Sequence, residues 1–239
     1  WDIYKTQLPL VFSLFPDISE KICETLLRLT ETLGFMPNSF GLSSNFNHES
    51  QQARMLGCYA LLCAYRTGVR VDPRRVIRAI RTDLFSDGKK DFRVDGTCES
   101  ATWILDMADC CAYAARLAAE LGEAALYNDF YPLSKRWINA YDRNTGLLTT
   151  DSKYYEGTLW NYSFRLSPEI GERIALIGGK REFAAALDRF FGFGAEPVEQ
   201  PSDRSPAGYI EKNMALGRFE GFNNEPDMET PYAYIFADR

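Results

Sequence analysis

The chain has 239 residues, 46% of them hydrophobic and 25% charged, with a formal net charge of −6. That balance belongs to a folded chain with apolar material for a large core, and the length suits one large helical domain. The acidic excess, 33 Asp and Glu against 27 Lys and Arg, argues against a general nucleic-acid binder, which would carry a basic face, and no apolar run approaches the roughly 18 residues of a membrane span.

The first residue is Trp1, and neither a basic n-region nor an apolar h-region follows it, so no secretory leader is expected. An excised or processed segment is expected instead, with its compartment open. Helical period then dominates. Asp17 with Glu20 predicts a capping box, Ile18, Ile22, Leu26, Leu29 and Leu33 share one face, and Gly34 closes the helix. A second helix is expected from near His48 through Leu56, Ala60 and Cys63 to Gly68. Asp72 before Pro73 predicts the next cap, with Val76, Ile77, Ile80 and Leu84 facing inward. Residues 98–121 are apolar almost all round, which predicts an inner, buried helix. Another helix is expected over 123–141, kinked or broken at Pro132. Ser167-Pro168 opens a short helix that stops at Gly178-Gly179, and Lys180 starts the next one, to Phe191. The Pro, Ser and Gly of 195–208 predict a long surface loop. With no useful period-2 run, the fold class is all-α, built from antiparallel helix pairs. A helix buried on several sides favours a layered toroid over a simple bundle. No linker composition divides the chain.

Several chemistries lack material. His48 is the single histidine, so a multi-His metal site lacks material and a Ser-His-Asp triad would rest on that one residue. Cys23, Cys58, Cys63, Cys98, Cys110 and Cys111 show no zinc spacing and are expected to be mainly buried thiols. Arg70, Arg74, Arg75, Arg78 and Arg81 recur at helical spacing and predict a solvated face. Gly178-Gly179-Lys180 is a helix stop, because it lacks the upstream glycine of a phosphate loop. Asp106 and Asp109 interrupt the apolar helix and are expected to be satisfied buried groups.

Two segments do not read as simple packing. Glu156 lies on a glycine-containing turn among Tyr154, Tyr155, Trp160 and Tyr162. Aromatic walls desolvate a carboxyl and keep it protonated as a general acid, and aromatic faces stack on sugars; an aromatic corner with Glu156 as a cap is the other reading. Residues 221–229 gather Asn223, Asn224, Glu225, Asp227 and Glu229. Such oxygens suit a hard cation such as calcium, or cap a helix.

These motifs resemble the calcium-dependent exo-α-mannosidases of glycoside hydrolase family 92. Trp1-Asp2-Ile3-Tyr4-Lys5-Thr6 is similar to the family's WDxYRT segment, with Lys5 in place of Arg. Tyr155-Glu156-Gly157-Thr158-Leu159-Trp160-Asn161-Tyr162 resembles its YxEGNAWQY region, with Thr158 for Asn and Asn161 for Gln. Asn224-Glu225-Pro226-Asp227 matches its GNEP motif, preceded by Phe222-Asn223 instead of His-Gly. The resemblance runs along essentially the whole chain. It implies an (α/α)6 toroid, incomplete here, without the family's N-terminal β-sandwich and its C-terminal end. It also implies inverting hydrolysis of terminal α-mannosides in glycans, with Glu156 as acid and a base located beyond this chain. Calcium would bind at Asn224 and Glu225, while Asp2, Lys5, Trp160 and Tyr162 would shape the sugar pocket. The substrate would be a mannose-containing glycan, the remaining parts of the protein would be partners, and a family-like location would be secreted or at the cell envelope. Another toroidal glycosidase, lyase or epimerase and a non-catalytic carbohydrate-binding relative remain as alternatives.

Overall fold

The computed structural model describes residues 2–37, 52–155, 157–193 and 225–239, the last stretch with side chains from 228 onward. Among them every regular element is helical, and the sole pairing of extended backbone is an isolated antiparallel bridge between Tyr141 and Leu148. No described helix is long and apolar enough to cross a membrane. The chain divides into two compact units, residues 1–140 and 141–239.

The first unit begins with α1 (Gln7–Leu14), a short apolar helix outside the sequence expectations, which leads into α2 (Pro16–Leu33). Helix α2 starts one residue before the expected capping box, and no side chain caps it. Pro16 supplies a preset φ at the first helical position, while Ser19 donates to the Phe15 carbonyl at 2.7 Å. The expected box is absent: the helix already runs through Asp17, and Glu20 pairs with Arg70 at 2.7 Å. Cys23, Leu26, Leu27 and Thr30 form the buried face, and Gly34 stops the helix in a left-handed conformation (φ 78°). Helix α3 (Leu56–Arg66) starts later than expected, since residues 52–55 are not helical, and ends as expected before Gly68; residues 38–51, including His48, lie outside the described residues.

Helix α4 (Pro73–Leu84) has the expected cap, with Asp72 accepting from the Arg74 amide at 2.9 Å. Its arginines are not merely solvated. Arg75 pairs with Glu24 (2.8 Å) and Glu31 (3.0 Å) of α2, Arg81 pairs with Asp129 (2.6 Å), and Arg74 pairs with Glu123. The face therefore ties α4 to its neighbours. After the short α5 (Lys90–Val94) comes α6 (Ala101–Glu120), the inner helix of this unit and buried on nearly every side. It packs most extensively on α7 (Ala124–Ser134), which gives way two residues after Pro132 to a 3-10 turn, Lys135–Ala140. Proline removes one helical donor and crowds the preceding turn, so a tighter winding beyond it is expected.

Several polar groups inside this unit are bonded to one another. Asp106 accepts from the Arg54 amide at 3.0 Å, and the Arg54 guanidinium lies 3.5 Å from the Trp103 ring centroid. Asp83 takes the ammonium of Lys89 (2.9 Å) and the Met36 amide (3.0 Å) on one oxygen and the Cys58 thiol (3.5 Å) on the other. Lys89 is 1% exposed. All six cysteines are free thiols, and Cys23, Cys58, Cys110 and Cys111 are buried. Burial pushes the Cys23 thiol up to about 11 and holds Cys58 and Cys111 high as well. Such thiols behave as small hydrophobes.

The second unit has shorter helices: α8 (Leu159–Ser163), α9 (Ile170–Leu176), α10 (Lys180–Phe190) and α11 (Ala233–Phe236), with a 3-10 turn at Glu225–Tyr232. Phe164, Ile174, Phe183, Leu187, Phe190 and Ala233 form its core. The stop expected at Gly178-Gly179 is present, both residues having positive φ. Gly146 is required twice over. Its φ is +68°, and an added Cβ would lie 2.5 Å from the Ile177 Cα. The loop expected over 195–208 lies outside the described residues.

Candidate active site

The aromatic segment around residue 156 belongs to the second unit and is held from several directions. The Asp142–Gly146 turn brings Leu148 back beside Tyr141: the Gly146 amide bonds the Asp142 carbonyl at 2.8 Å, and the Asp142 amide bonds the Leu147 carbonyl at 2.9 Å. Ser163, at the end of α8, accepts from the Leu148 amide at 2.9 Å and donates to the Leu159 carbonyl at 2.6 Å. The Tyr141 phenol in turn donates to the Ser163 carbonyl at 3.3 Å. A five-residue helix is marginal by itself. These contacts dock it.

The start of α8 is closed by a capping box, in which Thr158 accepts from the Trp160 amide at 3.2 Å and the Asn161 side chain accepts from the Thr158 amide at 2.8 Å. Thr158 and Asn161 differ from the usual residues of the resembled motif, and here they act together on the helix terminus, which leaves four backbone donors to satisfy. The Tyr154 ring stacks on Tyr162 at 6.1 Å and 15°. Its phenol donates to the Thr149 carbonyl, and burial raises its pKa above the ordinary tyrosine value despite the Ser152 hydrogen bond. Tyr162, expected at a sugar, is 1% exposed, and its phenol donates to the Tyr155 carbonyl.

Trp160 is half-buried against the core, tilted on Phe164 at 6.2 Å. The Arg189 guanidinium sits 5.1 Å from its ring centroid, a cation–π contact with one face of the indole. Glu156 and Asn224 lie outside the described residues, as does the side chain of Glu225. Glu229 is described. It accepts from the Leu166 amide at 2.9 Å, so the segment after the expected metal ligands packs beside the segment after the expected acid. Among the described residues no three His, Cys, Asp or Glu side chains are grouped to hold a metal.

Asp2 and Lys5 fall in the first unit. Asp2 is exposed, and its carbonyl accepts from the Thr6 hydroxyl at 3.0 Å. The Lys5 ammonium lies 5.6 Å from the ring centroid of the buried Tyr4, which meets Tyr59 edge-on at 5.5 Å. Sequence reasoning missed Ser163, Tyr141, Arg189 and Glu229 as supports of the aromatic segment. No local pattern marks them, since each acts on a residue distant in the chain or through a backbone group.

The glycosyl hydrolase family 92 catalytic domain matches the chain over residues 1–239. No protein of curated function matches it. Among solved structures, the family GH92 inverting mannosidase BT2199 from Bacteroides thetaiotaomicron VPI-5482 is similar, with TM-score 0.74 and 19% identity over 98% of this chain and 36% of that one. The family GH92 α-mannosidase BT3965 from Bacteroides thetaiotaomicron gives TM-score 0.71 and 19% identity over 99% of this chain and 34% of its own. Its complex with mannoimidazole gives 0.72 and 16%, again over 99% and 34%. At these identities the likeness is one of fold, and the chain spans about a third of the length of those structures.

Proposed function

Because the chain belongs to glycosyl hydrolase family 92, we propose that the protein hydrolyses terminal, non-reducing α-mannosides of glycans with inversion, and that the Glu156 carboxyl protonates the leaving oxygen. Its helices are read as part of an (α/α)6 toroid. The supporting observation is the Glu229–Leu166 bond. It joins the 225–232 turn to the chain following α8, so the two motif segments share one compact unit.

Inverting hydrolysis needs two carboxyl groups about 6.5–9.5 Å apart, with a water between them. Glu156 is the acid, in a sequence segment whose aromatic residues include the half-buried Tyr154 and the buried Tyr162; removal of water from a carboxyl favours its protonated form. Glu229 accepts from a backbone amide; by the resemblance, the base is proposed to be a carboxylate outside residues 1–239, which alone should then not turn over substrate. Trp160 is the proposed sugar contact of this unit, by its place in the resembled motif. Calcium is proposed at Asn224 and Glu225, whose amide and carboxylate oxygens are the hard donors this ion takes. Two such groups fall short of the ion's usual six to eight ligands, so water and sugar hydroxyls would supply the rest. Bound there, the ion would polarise and orient the sugar hydroxyls.

Glu156→Gln in the full-length protein tests the acid. Turnover of an alkyl α-mannoside should fall by roughly 10²–10⁴-fold, and that of an activated aryl α-mannoside far less, because a good leaving group needs little protonation. Equal losses on both substrates would place the acid elsewhere. Excess chelator should abolish turnover, with calcium restoring it; full activity in chelator removes the ion from the proposal. Mannoside binding without turnover would give the non-catalytic reading.

A further inference from the structure

One side chain holds both sequence neighbours of Glu156. The Tyr162 phenol donates to the carbonyl of Tyr155, on the N-terminal side. The edge of the same ring lies against Gly157, on the C-terminal side: a Cβ there would meet Tyr162 Cε2 at 3.0 Å and Asn161 Oδ1 at 3.2 Å. Gly157 is thus a close-approach glycine, needed for contact with the ring and not for backbone conformation.

The ring that grips these two residues is itself fixed. It is carried by α8, whose start is closed by Thr158 and Asn161 and whose end is bonded to Leu148 and Tyr141 through Ser163. Tyr154 stacks on it and is tied to the Thr149 carbonyl. At 1% exposure the Tyr162 side chain has no surface to offer a sugar. Its hydroxyl donates to the backbone.

We infer that Tyr162 is a positioning residue for the general acid, setting the backbone on either side of Glu156 rather than binding mannose. The inference rests on the reading of Glu156 as the acid. Proton donation to a leaving oxygen requires hydrogen-bond reach at the moment of bond cleavage, and a misplacement of about 1 Å costs up to roughly a hundredfold. Loss of the phenol releases the 155 carbonyl while the ring, and hence the core, remains.

The experiment compares Tyr162→Phe, Gly157→Ala and Glu156→Gln in the full-length protein, each on an alkyl and an activated aryl α-mannoside. Tyr162→Phe should lower kcat on the alkyl substrate by roughly ten- to a hundredfold, with KM little changed and the aryl substrate nearly spared. Gly157→Ala, which pushes on the clamp from the other side, keeps the inference testable should the tyrosine variant fail to fold. In a Glu156→Gln background neither change should add a further leaving-group-dependent loss. Such a loss in either single variant, absent from that background, is the supporting result. Equal losses on both substrates, or none in either variant, overturn the inference. If Glu156→Gln itself shows no dependence on leaving group, the acid assignment fails, a result distinct from failure of the clamp.

Discussion

The two units reach order by different routes. In residues 1–140 long helices surround α6, and enclosed polar groups such as Asp83 and Asp106 are bonded, to Lys89 and to the Arg54 amide. In residues 141–239 the helix nearest the candidate acid is five residues long and depends on side chain-to-backbone bonds from Ser163, Tyr141, Thr158 and Tyr162. Long helices bury enough surface to hold themselves by packing. Short ones need their ends satisfied one bond at a time, since most helical stability comes from tertiary contact. A segment that must place one carboxyl gains from the second arrangement, because each bond constrains a particular backbone atom.

The largest effect that would break this comparison lies in the first unit. Asp83→Ala should destabilise the protein by about 3–5 kcal/mol, because it strands a buried ammonium and removes the acceptor of the Met36 amide. Denaturant unfolding measures it, and the double change Asp83→Leu with Lys89→Met should recover most of the loss. A small effect from Asp83→Ala would mean that the buried pair is replaceable and that packing alone holds this unit.

In the second unit Gly146→Ala should cost about 2–4 kcal/mol, combining a left-handed conformation with overpacking. The clashing atoms are the Ile177 Cα and N, at 2.5 and 3.0 Å, which a rotamer change cannot move. Far-UV melting of the variant checks this. An unchanged midpoint would show that the Asp142–Gly146 turn is not what seats Leu148 against α8.

The smallest effect belongs to the surface of the first unit. Arg75 holds Glu24 and Glu31 below the ordinary carboxylate value of 4.5 through its hydrogen bonds. For a lowered carboxylate, the stabilisation is complete above the unfolded value and is lost as pH falls through the folded one. Stability should therefore be level above about pH 4.5 and decline below it, with a shallower decline in Arg75→Ala. These groups are exposed, so the difference should be slight and should vanish in high salt. An acid-limb slope equal to that of wild type would leave the arginine face with no electrostatic role.

Much of the helical layout is legible in the sequence. The Asp72-Pro73 start, the stops at Gly34, Gly68 and Gly178-Gly179, and the all-round burial of α6 follow from capping chemistry, positive φ and apolar period. The candidate site is less so. Its aromatic residues stand out by composition, yet what each ring does depends on neighbours that no local pattern reveals. Trp160 has Arg189 over its ring, and Tyr162 is turned inward onto a carbonyl. Glu20 shows the same limit: its spacing from Asp17 fits a capping box, but the helix begins at Pro16, Asp17 lies inside it, and the Glu20 carboxylate pairs with Arg70.

By itself, then, the sequence determined where most of the described helices run and stop, α1 and the starts of α2 and α3 excepted, and the order of the three motifs that mark a family 92 chain. Those properties depend on spacing within a few residues, and the spacing is written in the chain. Tertiary structure alone decided the partners of the buried polar groups: Met36 with Asp83 across 47 positions, Arg54 with Asp106 across 52, and Leu166 with Glu229 across 63. A buried donor or acceptor must be satisfied somewhere. Periodicity establishes that such a group is inside, and only the folded chain brings its distant partner within 3 Å or so.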